Sequence, residues 1–288
     1  MKSVVLITGA SSGIGLETVK LLKDRFIVFA TARASSLERF RSANLEESET
    51  LFIRQLDVCE SSERQRLFDE IESKFGKLDI LINNAGISFR SSIEEMSESE
   101  EMLQFGTNFL APLALMKLAI PKMRESRSGK IINVSSVSGM MAMPSMGAYS
   151  ASKWALEGAS EALWYELKPW GINVSLIEPG FIRSQGFENV KRSARSMSKD
   201  SPYSKMYHHM GCFVEKLMKR ALVTSEDIAK KIVQTIDDPN PPLRVLPSLD
   251  SAFFAFIRRM LPRPIYHRIL YYSLPGIRDW ESHAKSGH

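Results

Sequence analysis

Val4-Val5-Leu6-Ile7-Thr8-Gly9-Ala10-Ser11-Ser12-Gly13-Ile14-Gly15 changes character within twelve residues. A short apolar run enters a glycine-rich turn, and from Ile14 the pattern becomes that of an amphipathic helix. Gly9, Gly13 and Gly15 let the backbone approach a ligand closely, while the amides of the following helix N-terminus favour an anion. With Ser11 and Ser12 between the glycines, a strand–turn–helix of this kind is the setting in which a dinucleotide phosphate is held. The same residues also spell Gly-x-Ser-x-Gly, with Ser11 as a nucleophile on a strand-to-helix elbow. That rival needs a histidine, and every histidine stands at 208 or beyond. A hydrolase elbow this close to the start of the chain is also unusual, so the nucleotide reading is preferred.

Working outward, short apolar runs alternate with longer amphipathic segments, the signature of βαβ units and a parallel sheet. Strands are expected at 4–8, 26–31, 50–56, 78–83, 130–135, 172–178 and 243–246. Helices are expected at 14–23, 63–75, 100–123, 148–167 and 226–236. The strands are nearly continuous apolar runs, as happens when helices cover both faces of a sheet. The expectation is a doubly wound α/β (Rossmann) parallel sheet in a single domain over residues 1–250, with a C-terminal extension over 251–288. The polar, basic segment 185–221 breaks the rhythm after the sixth strand, where a substrate-covering lid would sit.

Composition narrows the class. Of 288 residues, 44% are hydrophobic and 25% charged, so the chain has material for a real core. A formal charge of +5, with acids and bases mixed along the chain, reads as a solvated surface and excludes a nucleic-acid footprint. Two cysteines, Cys59 and Cys212, make no disulfide framework and suit a reducing compartment. The first apolar run is too short for a signal peptide, and no run approaches the ~18 apolar residues of a membrane span. A cytoplasmic location is expected. No metal site is expected, since His208-His209 have no Cys, His or carboxylate at ligand spacing.

Several residues carry chemistry. The second strand ends in Ala30-Thr31-Ala32-Arg33, with arginine where a carboxylate would select the unphosphorylated ribose; this points to NADP in preference to NAD. Leu56-Asp57-Val58 and Asn83-Asn84-Ala85-Gly86 stand at strand ends; Asp57 suits an adenine amine, and Gly86 permits close approach. Tyr149 and Lys153 are four apart and share a helix face, so an ammonium beside the phenol would pull its pKa of about 10 down.

Thr8-Gly9-x3-Gly13-x-Gly15, Asn83-Asn84-Ala85-Gly86, Ser136 thirteen residues before Tyr149, Tyr149-x3-Lys153 and Pro179-Gly180 together resemble the short-chain dehydrogenase/reductase family. The resemblance runs over about residues 3–247, and Arg33 with the long C-terminal part is similar to its 17β-hydroxysteroid and retinol dehydrogenase branch. It implies that Tyr149 is the general acid/base and that Lys153 lowers its pKa and holds the nicotinamide ribose. Ser136 would bind the substrate oxygen, and Asn108 would support a water relay to Lys153. Pro179, Gly180 and Ile182 would flank the nicotinamide, and a homodimer or tetramer is implied. Ser184 stands where the family usually has threonine.

Met140, Met141, Met143 and Met146 suit an apolar substrate pocket. The tail interleaves aromatics with Arg258, Arg259, Arg263 and Arg268; packing onto the domain is preferred, with peripheral membrane contact beside it. The function expected is an NADP(H)-dependent oxidoreductase interconverting a secondary alcohol and a ketone on a small apolar substrate: steroid, retinoid or lipid-like. A 3-oxoacyl-[acyl-carrier-protein] reductase and a non-catalytic NADP-binding regulator are the alternatives.

Overall fold

The computed structural model of the protein describes residues 2–183 and 190–285. Its strands, in chain order, are β1 (Val4–Ile7), β2 (Ile27–Ala32), β3 (Leu51–Gln55), β4 (Ile80–Asn83), β5 (Ser88–Phe89), β6 (Gly129–Val134), β7 (Ile172–Ile177), β8 (Val190–Lys191) and β9 (Arg244–Val245). Its α-helices are α1 (Gly13–Leu22), α2 (Glu38–Ser42), α3 (Ser61–Phe75), α4 (Glu98–Phe105), α5 (Ala111–Glu125), α6 (Gly147–Leu167), α7 (Ser204–Arg220), α8 (Ser225–Asp237), α9 (Leu249–Met260), α10 (Arg263–Ser273) and α11 (Ile277–Lys285).

Seven strands form one parallel sheet in the order β3-β2-β1-β4-β6-β7-β9. The order reverses at β1, which makes the sheet doubly wound and opens a crevice beyond the carboxyl ends of β1 and β4. Alternation along each strand builds two cores. Val4, Leu6, Phe29, Leu81 and Ile131 face α3, α5 and α6 through Leu67, Ile71, Leu115, Met116, Met123 and Leu167. Val5, Ile7, Val28, Ile82 and Ile132 face α1 and α8 through Val19, Leu22, Ile228, Ile232 and Ile236. Burial of each such aliphatic side chain contributes about 1.5–3 kcal/mol. That is why these strands read as nearly continuous apolar runs.

Helices α4 and α5 are joined by one π-helical turn, Gly106–Leu110, into a continuous helix from Glu98 to Glu125. By length and composition that helix meets the requirements of a membrane span, contrary to the expectation that no segment would. Ala111, Leu115, Met116, Ala119 and Met123 are instead packed on the sheet.

The tail packs on the domain through buried Ser251 and Tyr266. Asp250 at its start accepts from the Phe181 amide at 2.7 Å. The outer face of α9 and α10 leaves Phe253, Phe256, Met260, Ile265 and Ile269 exposed. Of the segment expected to form the lid, residues 190–221 are described and contain β8 and α7. Residues 185–189, and Ser184, lie outside the described residues.

Candidate active site

The glycine turn is shaped by its neighbours. Gly9 has φ +62°, and a Cβ there would lie 2.7 Å from Ala85 Cα. Gly13 has φ +55° and meets only Ser225 Oγ, at 3.9 Å, so its outer side is open. The turn is locked from β4. Asn84 Nδ2 donates to the carbonyls of Thr8 and Gly9, each at 2.9 Å, and Thr8 Oγ1 accepts the amides of Asn84 and Ala85, each at 3.0 Å. Ser12 precedes α1 without a side-chain cap, so the first amides of that helix stay available to an anion.

A cleft of about 1100 Å³ runs from this turn across the carboxyl ends of the strands. Gly9, Ser11, Ser12, Gly13, Ile14, Arg33, Asp57, Val58, Asn84 and Ala85 line one end; Gly86, Ser136, Tyr149, Lys153, Pro179, Gly180 and Ile182 line the other. Gly15 was expected with them but sits behind the cleft. A Cβ on it would lie 2.5 Å from Asn84 Nδ2 and 2.6 Å from the Gly9 carbonyl, so glycine is needed there for packing rather than for contact. Arg39 also lines the cleft with Arg33. The sequence reading missed it, although its place in the first turns after β2, six residues past Arg33, was a usable signal. The size, the uncapped helix end and the crowded glycines fit a dinucleotide.

At the other end, α6 carries the half-buried Tyr149 and the buried Lys153. Ser136 leaves β6 on extended backbone, and its Oγ accepts the Ser138 amide at 3.1 Å. Its neighbour Ser135 is committed elsewhere, donating to Glu157 Oε1 at 2.7 Å. Burial pushes the Tyr149 phenol above its usual range, against a hydrogen bond with Ser136 and the positive charge of Arg90. Burial pulls Lys153 down to about 8, with Glu157 opposing. The Lys153 ammonium donates to the Val134 carbonyl at 2.8 Å and stands 6.0 Å from the Tyr149 ring centroid. The expected depression of the phenol by Lys153 therefore does not appear: desolvation outweighs a cation already engaged with a carbonyl.

Asn108 lies in the π-helical turn, fully enclosed. Its Oδ1 accepts the Ile87 amide at 2.9 Å, and its Nδ2 donates to the Ile87 carbonyl at 2.9 Å and to Ser152 Oγ at 3.2 Å. Both ends of the amide are thus used on the Ile87 backbone, just before β5, and on α6, which carries Lys153. Behind Lys153, Arg244 bridges Glu157, Glu178 and Glu161 at 2.7, 2.7 and 3.0 Å. Burial, then the Glu157 charge, push the Glu178 carboxyl up to about 7, against Arg244.

A second cavity of about 220 Å³ opens beside Ser136 and Tyr149. Met141, Met143, Met146, Met218, Phe181 and Phe254 form its walls; Met140 is not among them. Outside the cleft, His209 pairs with Asp279 at 3.0 Å.

A parallel doubly wound sheet, a dinucleotide cleft and a Ser–Tyr–Lys cluster define an NAD(P)-dependent oxidoreductase. The model of the short chain dehydrogenase family matches residues 3–195, and the chain belongs to that family. A 3-ketodihydrosphingosine reductase of Bacteroides thetaiotaomicron is 34% identical over 261 residues, covering 90% of this chain and 93% of the relative. Human retinol dehydrogenase 8 is 31% identical over 289 residues, covering 93% and 90%. Among solved structures, a short-chain dehydrogenase from Streptomyces avermitilis has a TM-score of 0.79 at 26% identity, covering 100% of this chain and 99% of that one. ElxO with NADP bound has a TM-score of 0.70 at 28% identity, covering 85% and 96%.

Proposed function

We propose that the protein is an NADP(H)-dependent oxidoreductase interconverting a secondary alcohol and a ketone on a small, largely apolar substrate. The observation that carries this is the junction of the two cavities. Tyr149 and Ser136 line both the dinucleotide cleft and the methionine- and phenylalanine-walled cavity. The nucleotide, when bound, supplies or accepts hydride at the substrate carbon. In the reducing direction the Tyr149 phenol gives its proton to the carbonyl oxygen, so one hydride and one proton are added and an alcohol results. The Ser136 hydroxyl donates to the same oxygen as its negative charge grows. Lys153 at about 8 is still an ammonium at neutral pH, stabilising the phenolate left behind and holding the nicotinamide ribose. Asn108 keeps Ile87 and α6 in register with it.

Arg33 and Arg39 at the far end of the cleft support NADP over NAD, as positive groups suited to a 2′-phosphate. The exposed apolar face of α9 and α10, flanked by arginines, supports peripheral contact with a membrane that would store an apolar substrate. The proposal keeps the enzyme cytoplasmic, with Cys59 and Cys212 reduced, and assembled as a homo-oligomer.

Tyr149→Phe separates this function from a nucleotide-binding regulator. Turnover of lipophilic ketones, followed by nicotinamide absorbance, should fall at least a thousandfold while nucleotide affinity stays within about threefold. Unchanged turnover in this variant would overturn the assignment.

A further inference from the structure

The substrate cavity holds one charged side chain, Arg90, among the described residues that line it. The residue follows β5, which pairs in parallel with β8 through Ser88↔Val190 and Phe89↔Lys191. The Arg90 amide continues that pairing by donating to the Lys191 carbonyl at 2.8 Å. Phe89 turns into the core, and its amide donates to Gln104 Oε1 at 2.9 Å, which fixes the strand. Alternation then sends Ser88 and Arg90 to the same side of the strand, and both line the cavity with Tyr149.

Neither side chain is satisfied. Ser88 Oγ and Arg90 Nε are buried without a hydrogen-bond partner, and the only bond to the guanidinium among the described residues is Nη1 to the Met146 thioether at 2.8 Å. A thioether is a weak acceptor, and a buried guanidinium is ordinarily matched by a carboxylate. No described carboxylate makes an ion pair with Arg90; the Tyr149 phenol is the one group that favours its charge, and Arg192 opposes it. Burial accordingly weakens Arg90's hold on its proton. Two unpaired donors that line one apolar-walled cavity, one of them a cation, call for an acceptor that carries negative charge, as a carboxylate does.

We propose that Ser88 and Arg90 form an anion subsite in the substrate cavity, so that the preferred substrates are apolar carbonyl compounds, or their alcohols, that carry a carboxylate near the reacting carbon. The inference rests on the oxidoreductase reading above and narrows its substrate class. It also predicts discrimination: a substrate with an ammonium in that position would face Arg90 and be rejected.

The test compares 3-oxodecanoate, its methyl ester and 1-amino-2-decanone with NADPH. The wild-type protein should show kcat/KM for the acid roughly ten- to hundredfold above the ester, the range of a charge-assisted pair, with the amine poorest of the three. In Arg90→Met the acid-to-ester ratio should collapse to about one. Ser88→Ala should lower the ratio several-fold, and Arg90→Lys should restore part of it. Binding of acid and ester to the protein with NADPH, by calorimetry, gives the same comparison without turnover. An ester reduced as well as the acid, or an equal loss on both in Arg90→Met, would overturn the subsite while leaving the oxidoreductase standing. Absence of turnover on all three, with the acid still bound more tightly through Arg90, would instead sink the redox assignment and keep the subsite.

Discussion

Replacing Arg244 with methionine removes the one cation that, among the described residues, pairs with two enclosed carboxylates. The side chains of Glu157 and Glu178 are 6% and 0% exposed, against 47% for Glu161. Breaking a buried pair from one side costs about 3–5 kcal/mol if the remaining charge stays in place. Glu178 has an escape, because a buried carboxyl without its cation takes up a proton. Its pKa already stands at about 7 against an ordinary 4.5, so the native state holds this proton more tightly than the unfolded chain does. The stabilisation is thus complete below pH 4.5 and is lost as pH rises through 7, about 3 kcal/mol in all at 1.36 kcal/mol per unit. In the wild type the loss ends near 7. In Arg244→Met the pKa moves higher, and the loss continues at about 1.4 kcal/mol per pH unit. That corresponds to roughly 2 °C of melting temperature per unit for a chain of 288 residues. Urea unfolding followed by circular dichroism at pH 6, 7, 8 and 9 reads the difference between the two proteins. It should widen from pH 7 to 9 and stop widening when Glu178→Gln is added. Curves that run parallel over that range would mean that Glu178 takes up no proton when Arg244 is removed.

Arg33→Ala and Arg39→Ala should each weaken NADPH about tenfold and NADH distinctly less, measured by nucleotide fluorescence titration; equal losses for the two nucleotides would count against a 2′-phosphate site. Gly76→Ala and Gly9→Ala form a matched pair, since both glycines have positive φ, +71° and +62°, but only Gly9 is crowded. The first should cost about 1 kcal/mol in urea unfolding, and the second about 1–3 kcal/mol more from the collision with Ala85. Equal costs would show that crowding at the turn is unimportant.

Most of the sheet strands were legible because helices bury both faces and leave few polar residues in β1, β2, β4 and β7; β3 and β9, at the sheet edges, are partly exposed and carry Arg54, Gln55 and Arg244. Tyr149 and Lys153 were legible for a different reason, their i to i+4 spacing within α6. What spacing could not show was burial, and burial decides the direction of both pKa shifts. Arg90 illustrates the same limit. In sequence it is an ordinary arginine after a glycine-rich strand end, and only the pairing of β5 with β8, a hundred residues apart, encloses it beside Tyr149. The tail was half legible. Pro262 and Pro264 do end one helix and start the next, but the role of Phe254 as a cavity wall depends on tertiary packing. A capping signal at Ser248 and Ser251 marks the start of α9 and was overlooked.

The attachment of α9 has a consequence for the order in which the protein is made. Residues through Val245 complete the sheet and the nucleotide cleft, yet the wall contributed by Phe254 and the Asp250 bond to Phe181 come afterwards. Translation thus delivers every strand of the sheet before the residues that anchor Gly180 and Phe181 and wall the second cavity.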